Sequence, residues 1–206
     1  MFAGCKTWSS ELQKSGLRVY SFEINGDPIY GNFLGDAGLL NALAALLRCK
    51  PGAVVHWATV CSSWVTVNRH TAGRSLAAPL GRVDRPYVRD ANCMVSRMCL
   101  CILLGVALNL EWVLEQPLTS LMKEHPRMKA IRRMSDARLI KSVTEVHTWM
   151  GSFGGFSPKP TMLLGSPSWL GQLKRKLTRD TFSADARTAE SYYDSNGVKR
   201  FKGQAH

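Results

Sequence analysis

The sequence predicts an α/β protein with a doubly wound, mostly parallel sheet and helices on both faces. Short apolar, β-branched runs such as Ala53–Val60 alternate with longer amphipathic runs such as Ala37–Cys49. These two patterns are typical of buried parallel strands and of the helices that cover them. Three chemically capable residues, Glu23, Cys61 and Glu115, stand at or just after predicted strand ends. Ligands of such sheets bind outside the carboxyl ends of the strands, so we expect the functional site there.

Each element of the first half has its own signal. Val19–Ile24 is apolar and aromatic, as strands are. Ala37–Cys49 carries leucines at helical spacing and is stopped by a Pro-Gly pair, and Ala53–Val60 follows as a buried strand. Ser62–Arg89 then contains five arginines and a single acidic residue, which predicts a long, mobile, basic loop of the kind that often carries function.

The second half continues the alternation of helices and strands. Asp90–Leu108, rich in Met, Cys and Leu, is predicted to be a helix, and Leu110–Leu114 a strand that runs into Glu115-Gln116-Pro117. A helical turn, two strands and a basic amphipathic helix follow at Leu118–His125, Val143–Trp149, Thr161–Leu164 and Trp169–Leu177. We expect residues 1–177 to form one folded domain and residues 178–206, which are mostly polar and charged, to form a flexible tail.

Composition and charge exclude several classes of protein. The 206 residues are 45% hydrophobic and 20% charged, a composition that argues against wholesale disorder. The formal charge of +12 favours a polyanionic partner, most simply a nucleic acid. The apolar run Met98–Leu110 is shorter than the about 20 residues of a membrane span, so we expect no membrane partner.

The cysteines predict a reducing compartment. All six are widely spread, and none has the C-x-x-C spacing that zinc sites favour, so neither a disulfide framework nor a bound metal is expected. No secretory signal precedes Phe2. We therefore expect a nuclear or cytoplasmic protein.

Two residues are candidates for catalysis, and each has an alternative structural explanation. Cys61 opens the basic loop, where nearby positive charge would lower its pKa and make the thiol a nucleophile; a packed core cysteine is the alternative. Glu115 leaves an apolar strand, so burial would raise its pKa and suit it to proton donation; an ordinary solvated carboxylate is the alternative. Glu23 could accept hydrogen bonds from a ribose diol or lie free on the surface.

The order of these motifs resembles the catalytic domain of the cytosine-C5 DNA methyltransferases, particularly its compact, phage-like members. Phe2-Ala3-Gly4 is similar to the family's cofactor turn, and Glu23 falls at the place of its ribose-binding acid. The later matches are the nucleophile motif, the Glu-Asn motif and the late Lys-x-Thr segment, at Cys61-Ser62-Ser63-Trp64, Glu115-Gln116-Pro117 and Pro158-Lys159-Pro160-Thr161. The resemblance covers about residues 2 to 166 and implies a Rossmann-like methyltransferase sheet.

The resemblance implies a role for each of these positions. Cys61 would attack C6 of a cytosine in DNA, Glu115 would hold or protonate N3, and C5 would take a methyl group from S-adenosylmethionine. The cofactor would be bound by Phe2, Gly4, Glu23 and Asp36. Nucleic-acid phosphates would be bound by cations of the basic loop and the late segment: Arg69, Arg74, Arg82, Arg85 and Lys159.

The chain also departs from the family. Val60 and Gln116 stand where the family has Pro and Asn. The family's first strand would precede Phe2, so we expect another segment or a larger polypeptide to supply it. Three functions stay open: an active methyltransferase, a methyltransferase-like nucleic-acid-binding module without catalysis, and a basic interaction protein that docks on an acidic partner.

Overall fold

The fold is a mixed α/β domain built on a four-stranded sheet. The computed structural model describes residues 7–154, 158–178, 189–193 and 199–203. The strands are β1 (Val54–Trp57), β2 (Glu111–Pro117), β3 (Thr144–Trp149) and β4 (Pro160–Gly165), in the spatial order β1-β2-β4-β3. A second, two-stranded sheet pairs β5 (Ala189–Tyr193) with β6 (Lys199–Gly203) in antiparallel fashion.

The strand directions differ in part from the prediction. β1 and β2 pair in parallel, whereas β4 runs antiparallel to both of its neighbours, β2 and β3. It follows that β1, β2 and β3 all point the same way and β4 alone is reversed. The short connection between β3 and β4 explains the reversal, because two neighbouring strands joined without a crossover helix pair in antiparallel fashion.

The helices of the described chain are α1 (Thr7–Lys14), α2 (Asp36–Leu47), α3 (Arg69–Ala72), α4 (Pro86–Ala107) and α5 (Pro126–Asp136). α4 begins with a proline at its first turn, where the missing N–H costs nothing. It provides the crossover that the parallel β1–β2 pair requires. The predicted helices at 37–49 and 90–108 are confirmed, and α4 begins four residues earlier than expected, inside the predicted basic loop.

The two faces of the sheet are covered unequally. Alternate residues of β2 point to opposite faces: Trp112 and Leu114 belong to the large core, and Val113 belongs to a small one. Buried residues of α2, α4 and α5 all contribute to the large core. The small core is closed by Leu170 of the 3-10 helix Ser168–Leu173. Among the described elements, the second face is covered only by this short 3-10 helix, so the expectation of helices on both faces is met in part.

Three further expectations differ from the structure. Val19–Ile24 forms no strand. Within this segment Phe22 is buried in the core, whereas Tyr20 and Ile24 are exposed. The segment predicted to be a helix near Trp169 is a 3-10 helix that ends at Leu173. The predicted tail contains the β5–β6 pair.

By length and composition α4 is also long and apolar enough to cross a membrane, which corrects the estimate made from its apolar run alone. Core helices of soluble proteins pass the same test, and one side of α4 packs into the large core through Val95, Met98, Cys99 and Ile102. The helix is therefore weak evidence for a membrane span.

Candidate functional site

The predicted catalytic residues meet at one edge of the sheet. Cys61 follows the carboxyl end of β1, and Glu115 lies near the carboxyl end of the parallel strand β2. Lys159 directly precedes β4, whose first residues pair with the last residues of β2. Because β4 is antiparallel, its start falls at the same edge as the ends of β1 and β2. This is the edge where α/β sheets bind their ligands.

Glu115 is the electrostatic centre of this edge. Its Oε1 accepts a hydrogen bond from Lys159 Nζ at 2.8 Å, and its Oε2 lies 3.5 Å from His56 Nε2. Burial raises the pKa of the Glu115 carboxyl. The hydrogen bonds and charges of His56 and Lys159 outweigh this effect and bring the pKa down to about 2. The prediction of a raised pKa and a ready proton donor is therefore wrong: Glu115 is ionised at neutral pH.

Lys159 is held by its backbone as well as by its charge. Its φ of +26° lies in the left-handed region that non-glycine residues seldom adopt. Its carbonyl oxygen accepts hydrogen bonds from Thr161 Oγ1 at 2.9 Å and from the backbone N–H of Met150 at 3.2 Å. These contacts fix the residue whose ammonium group binds Glu115. The predicted phosphate ligand Lys159 is thus already paired with a carboxylate, although its side chain is half exposed.

Cys61 is half-buried at the same site. Burial raises the pKa of its thiol, a hydrogen bond with its own backbone and the charge of Lys159 lower it, and the charge of Glu115 raises it, with a net upward shift. The thiol is therefore mostly protonated at neutral pH, which is contrary to the expectation of a lowered pKa. Cys61, Glu115 and Lys159 therefore lie at the same edge of the sheet, where the charges of Lys159 and Glu115 act on the thiol.

A buried hydrogen-bond network holds the two strand ends together beneath this site. Gln116 Nε2 donates to the carbonyl oxygen of Thr59 at 2.7 Å, and Gln116 Oε1 accepts from Ser120 Oγ at 3.0 Å. Thr59 precedes Cys61 by two residues, and Gln116 follows Glu115 directly. The network therefore ties the backbone that carries the thiol to the backbone that carries the carboxylate.

Arg74 does not reach any phosphate, because it is buried with only 1% of its surface exposed. Its guanidinium donates to Ser63, Pro79, Val88 and Asn92 at 2.7–3.3 Å. The Arg74 Cζ also lies 3.4 Å from the centroid of the Trp64 ring. Burial lowers its pKa to about 10, so it stays charged at neutral pH.

Arg74 therefore organises the segment that follows Cys61, and its assignment as a nucleic-acid ligand is corrected. Gly81 allows this packing, because at its φ of +62° a Cβ would meet the backbone oxygen of Ala72 and the Arg74 side chain. The predicted mobile loop is in this part a structured layer around one buried cation.

His125 closes the other side of this layer. Its ring meets the Trp64 ring edge-on at 5.9 Å between centroids, and its Nδ1 accepts the backbone N–H of Arg127 at the start of α5. Burial, followed by the charges of Arg74 and Arg127, lowers the His125 pKa to about 4. The imidazole is therefore neutral at physiological pH.

The other arginines of the loop stay at its surface. Arg69 is exposed on α3, Arg82 pairs with Asp84 at 3.1 Å, and Arg85 precedes α4 with its Nε 4.0 Å from Asp84. Their proposed contact with nucleic acid stays a prediction.

Of the four predicted cofactor residues, the structure describes Glu23 and Asp36. Phe2 and Gly4 lie outside the described residues. Glu23 ends no strand and lies in a turn, where its carboxylate accepts the backbone N–H of Asn25 at 3.5 Å. Asp36 begins α2 with its side chain almost fully in solvent and contacts Arg97 at 3.4 Å. The binding of a cofactor by these four residues therefore stays a prediction.

Within the described ranges, no group of three or more His, Cys, Asp or Glu side chains could hold a metal ion. Comparison with known proteins gives no match to a family model, to a curated protein or to a solved structure. The interpretation of the site therefore depends on its own geometry.

Sequence reasoning missed one member of the site, His56. It lies on β1 beside Glu115, on the opposite face from Trp57, which is fully buried in the large core. The available signal was a single ionisable residue inside the apolar run Val54–Trp57. A polar side chain in a buried strand needs a hydrogen-bonding partner. Here the partner is Glu115, two residues beyond Val113, which is the residue of β2 directly opposite His56.

Proposed function

We propose that this chain is a methyltransferase-like protein that acts on cytosine in DNA, with Cys61 as the nucleophile and Glu115 as the group that recognises the base. One observation supports this most: a thiol and an ionised carboxylate, 54 positions apart by their residue numbers, lie at the carboxyl ends of two neighbouring parallel strands. The resemblance in motif order supports the same assignment independently.

Each residue of the site has a task in this reaction. The sulfur of Cys61 would form a bond to C6 of an unstacked cytosine, after the thiol loses its proton. Ionised Glu115 would accept a hydrogen bond from the amino group of the base. The electron pair displaced toward N3 requires a proton, and the donors beside the carboxylate are Lys159 Nζ and His56 Nε2. S-adenosylmethionine would supply the methyl group for C5 and become S-adenosylhomocysteine. Loss of the C5 proton to water would then restore the C5–C6 double bond and release the sulfur of Cys61.

The test is methyl transfer from labelled S-adenosylmethionine to DNA by the full chain. Cys61→Ser should abolish transfer while DNA affinity survives, because the oxygen nucleophile is far weaker than the thiolate. Cys93→Ser is the matched control, since Cys93 is an exposed cysteine on α4 away from the predicted nucleophile motif. Transfer by the Cys61→Ser protein at the parental rate would show that Cys61 is not the nucleophile.

A second candidate is the nucleic-acid-binding module without catalysis. The state of the site favours it: the Cys61 thiol is protonated, and both oxygens of Glu115 already have basic partners. In that case neither the wild type nor the Cys61→Ser variant transfers methyl groups. Calorimetric titration of S-adenosylmethionine into the wild type and into the Glu23→Ala variant then gives no heat. Charge reversal at the exposed Arg82 and Arg85 would still weaken DNA binding and flatten its dependence on salt.

A further inference from the structure

A strip of basic and aromatic side chains lies next to the candidate site. Lys174, Arg175 and Lys176 follow the 3-10 helix Ser168–Leu173, and all three are exposed. Arg175 Cζ lies 5.7 Å from the centroid of the Phe153 ring, and 46% of Phe153 is exposed. We call these four residues the basic strip.

The basic strip is joined to the site by three hydrogen bonds. Ser152 Oγ donates to the carbonyl oxygen of Lys176 at 3.0 Å, which fixes the strip against the 3-10 helix Met150–Phe153. The first residue of that helix, Met150, donates its backbone N–H to the carbonyl oxygen of Lys159. Lys159 in turn binds Glu115. A short chain of contacts therefore joins the strip to the carboxylate.

The positive charge of the strip is not neutralised within the described part of the chain. No described carboxylate lies within ion-pair distance of Lys174, Arg175 or Lys176. Among the residues that the structure describes, the Arg175 guanidinium donates hydrogen bonds only to the backbone oxygens of Gln172 and Lys174. Neutral acceptors orient the group but leave its charge available to an anion.

We propose that the basic strip binds a single-stranded segment of a polynucleotide beside the Cys61–Glu115 site. Exposed cations along one stretch of chain can neutralise phosphates of a strand, and an exposed aromatic ring offers a face on which a base can stack. Duplex DNA keeps its bases stacked inside, so the Phe153 ring has a partner only when the strand is open. This inference rests on the proposed function for the identity of the polymer, and its test requires neither cofactor nor methyl transfer.

The experiment measures binding of the full chain to a labelled oligothymidylate of about 10 nucleotides, within the usual size of a single-stranded site. Lys174→Ala/Arg175→Ala should raise the dissociation constant about tenfold and reduce the slope of log K against log salt by about 1.4, because two phosphate contacts are lost. Arg48→Ala/Lys50→Ala is the matched control, since it removes one Arg and one Lys, both exposed, near the opposite edge of the sheet, before β1. It should leave both quantities close to wild type.

Stacking is tested with Phe153→Leu and Phe153→Tyr. The leucine variant should bind about 5- to 100-fold more weakly, and the tyrosine variant should keep the wild-type affinity because it keeps the ring. Oligouridylate and a duplex of equal length complete the set: either single strand can bind, but the duplex must bind more weakly.

Three results would each overturn the inference: no binding by the wild type, equal binding by the Lys174/Arg175 variant, or an equal loss in the Arg48/Lys50 control. Preference for the duplex would also overturn it. If the strip variants lose binding while no methyl transfer is found in the wild type, the proposed function fails alone. If transfer depends on Cys61 while the strip variants bind normally, the basic strip fails alone.

Discussion

Arg74 and Glu115 are both charged groups removed largely from water, and they are satisfied in opposite ways. Arg74 makes five hydrogen bonds to neutral oxygens and stacks on Trp64, with no contact left for a ligand. Glu115 is held by two basic side chains and keeps 17% of its side chain exposed at the sheet edge. A residue at a functional edge keeps some access, whereas a residue that supports the fold does not.

The comparison explains why sequence context alone misjudged both residues. An arginine in a basic loop and a glutamate at a strand end are each expected to face solvent or ligand. The loop instead folds around Arg74, and the strand end gains partners from β1 and β4. Arg74 stays charged although its hydrogen-bond acceptors are neutral, because its pKa is still about 10. Glu115 stays charged because its basic partners lower its pKa.

The largest effect we expect is on stability, from Arg74→Met. The side chain is similar in length, but four residues would keep buried oxygens that lose their donor, and each such oxygen costs about 1–3 kcal/mol. The free energy of unfolding should fall by at least about 3 kcal/mol, measured by urea denaturation. Arg69→Ala removes an exposed arginine of the same layer and should change stability by less than about 0.5 kcal/mol. Similar losses in both variants would contradict the supporting role of Arg74.

A second effect is expected from pH, with the imidazole of His125 as its source. Its pKa is lowered from the ordinary 6.5 to about 4, so between these two pH values His125 is protonated in the unfolded chain and neutral in the folded chain. The contribution of neutral His125 to the free energy of unfolding is fully present above pH 6.5. It falls by about 2–3 kcal/mol as the pH decreases toward 4. His125→Asn keeps a capping oxygen for α5 without titrating, and it should flatten the profile in this window.

Glu115 should act in a separate, more acidic window. Its pKa is lowered from 4.5 to about 2, so its contribution is present above pH 4.5 and is lost as pH falls from there to 2. Glu115→Gln should flatten the stability profile below pH 4.5 and leave the His125 window unchanged. If one variant removed the pH dependence in both ranges, the two residues would titrate together. We expect the opposite, because Glu115 and His125 have different partners.

The smallest effect concerns the reactivity of Cys61. Its thiol is protonated at neutral pH, so alkylation by iodoacetamide, followed at the Cys61 peptide by mass spectrometry, should accelerate as pH rises. Lys159→Ala removes a charge that lowers the thiol pKa and should slow the reaction severalfold at fixed pH. Glu115→Gln removes a charge that raises the pKa and should accelerate it. The exposed Cys93 serves as the internal reference, and equal changes at Cys93 would point to a general opening of the fold instead.

Much of the architecture was predictable because hydrophobic periodicity determines where buried strands and helices lie. The positions of β1 to β4, α2 and α4 follow from that signal. α5 was missed because only Met128 and Ile131 are buried in a segment dominated by basic residues. The strand wrongly predicted at Val19–Ile24 shows the converse, because apolar and aromatic residues without a neighbouring strand to pair with stay irregular.

The meeting of Cys61, Glu115 and Lys159 was predictable from motif order, but their protonation states were not. Burial alone would raise the Glu115 pKa, and the sign is reversed first by the hydrogen bond of His56 and then by Lys159, which is 44 positions away in the sequence. His56 adds to the same reversal from β1. Such partners depend on register and strand direction, which are properties of the assembled sheet.

The unusual backbone of Lys159 limits how the β3–β4 connection can change during evolution. The ammonium group reaches Glu115 from a residue with positive φ whose carbonyl is also tied to the end of β3. An insertion or deletion between Met150 and Pro160 would shift this geometry even though it occurs in a connecting segment, where length changes are usually tolerated. Relatives that keep the paired carboxylate should therefore keep the length of this connection, while other loops vary.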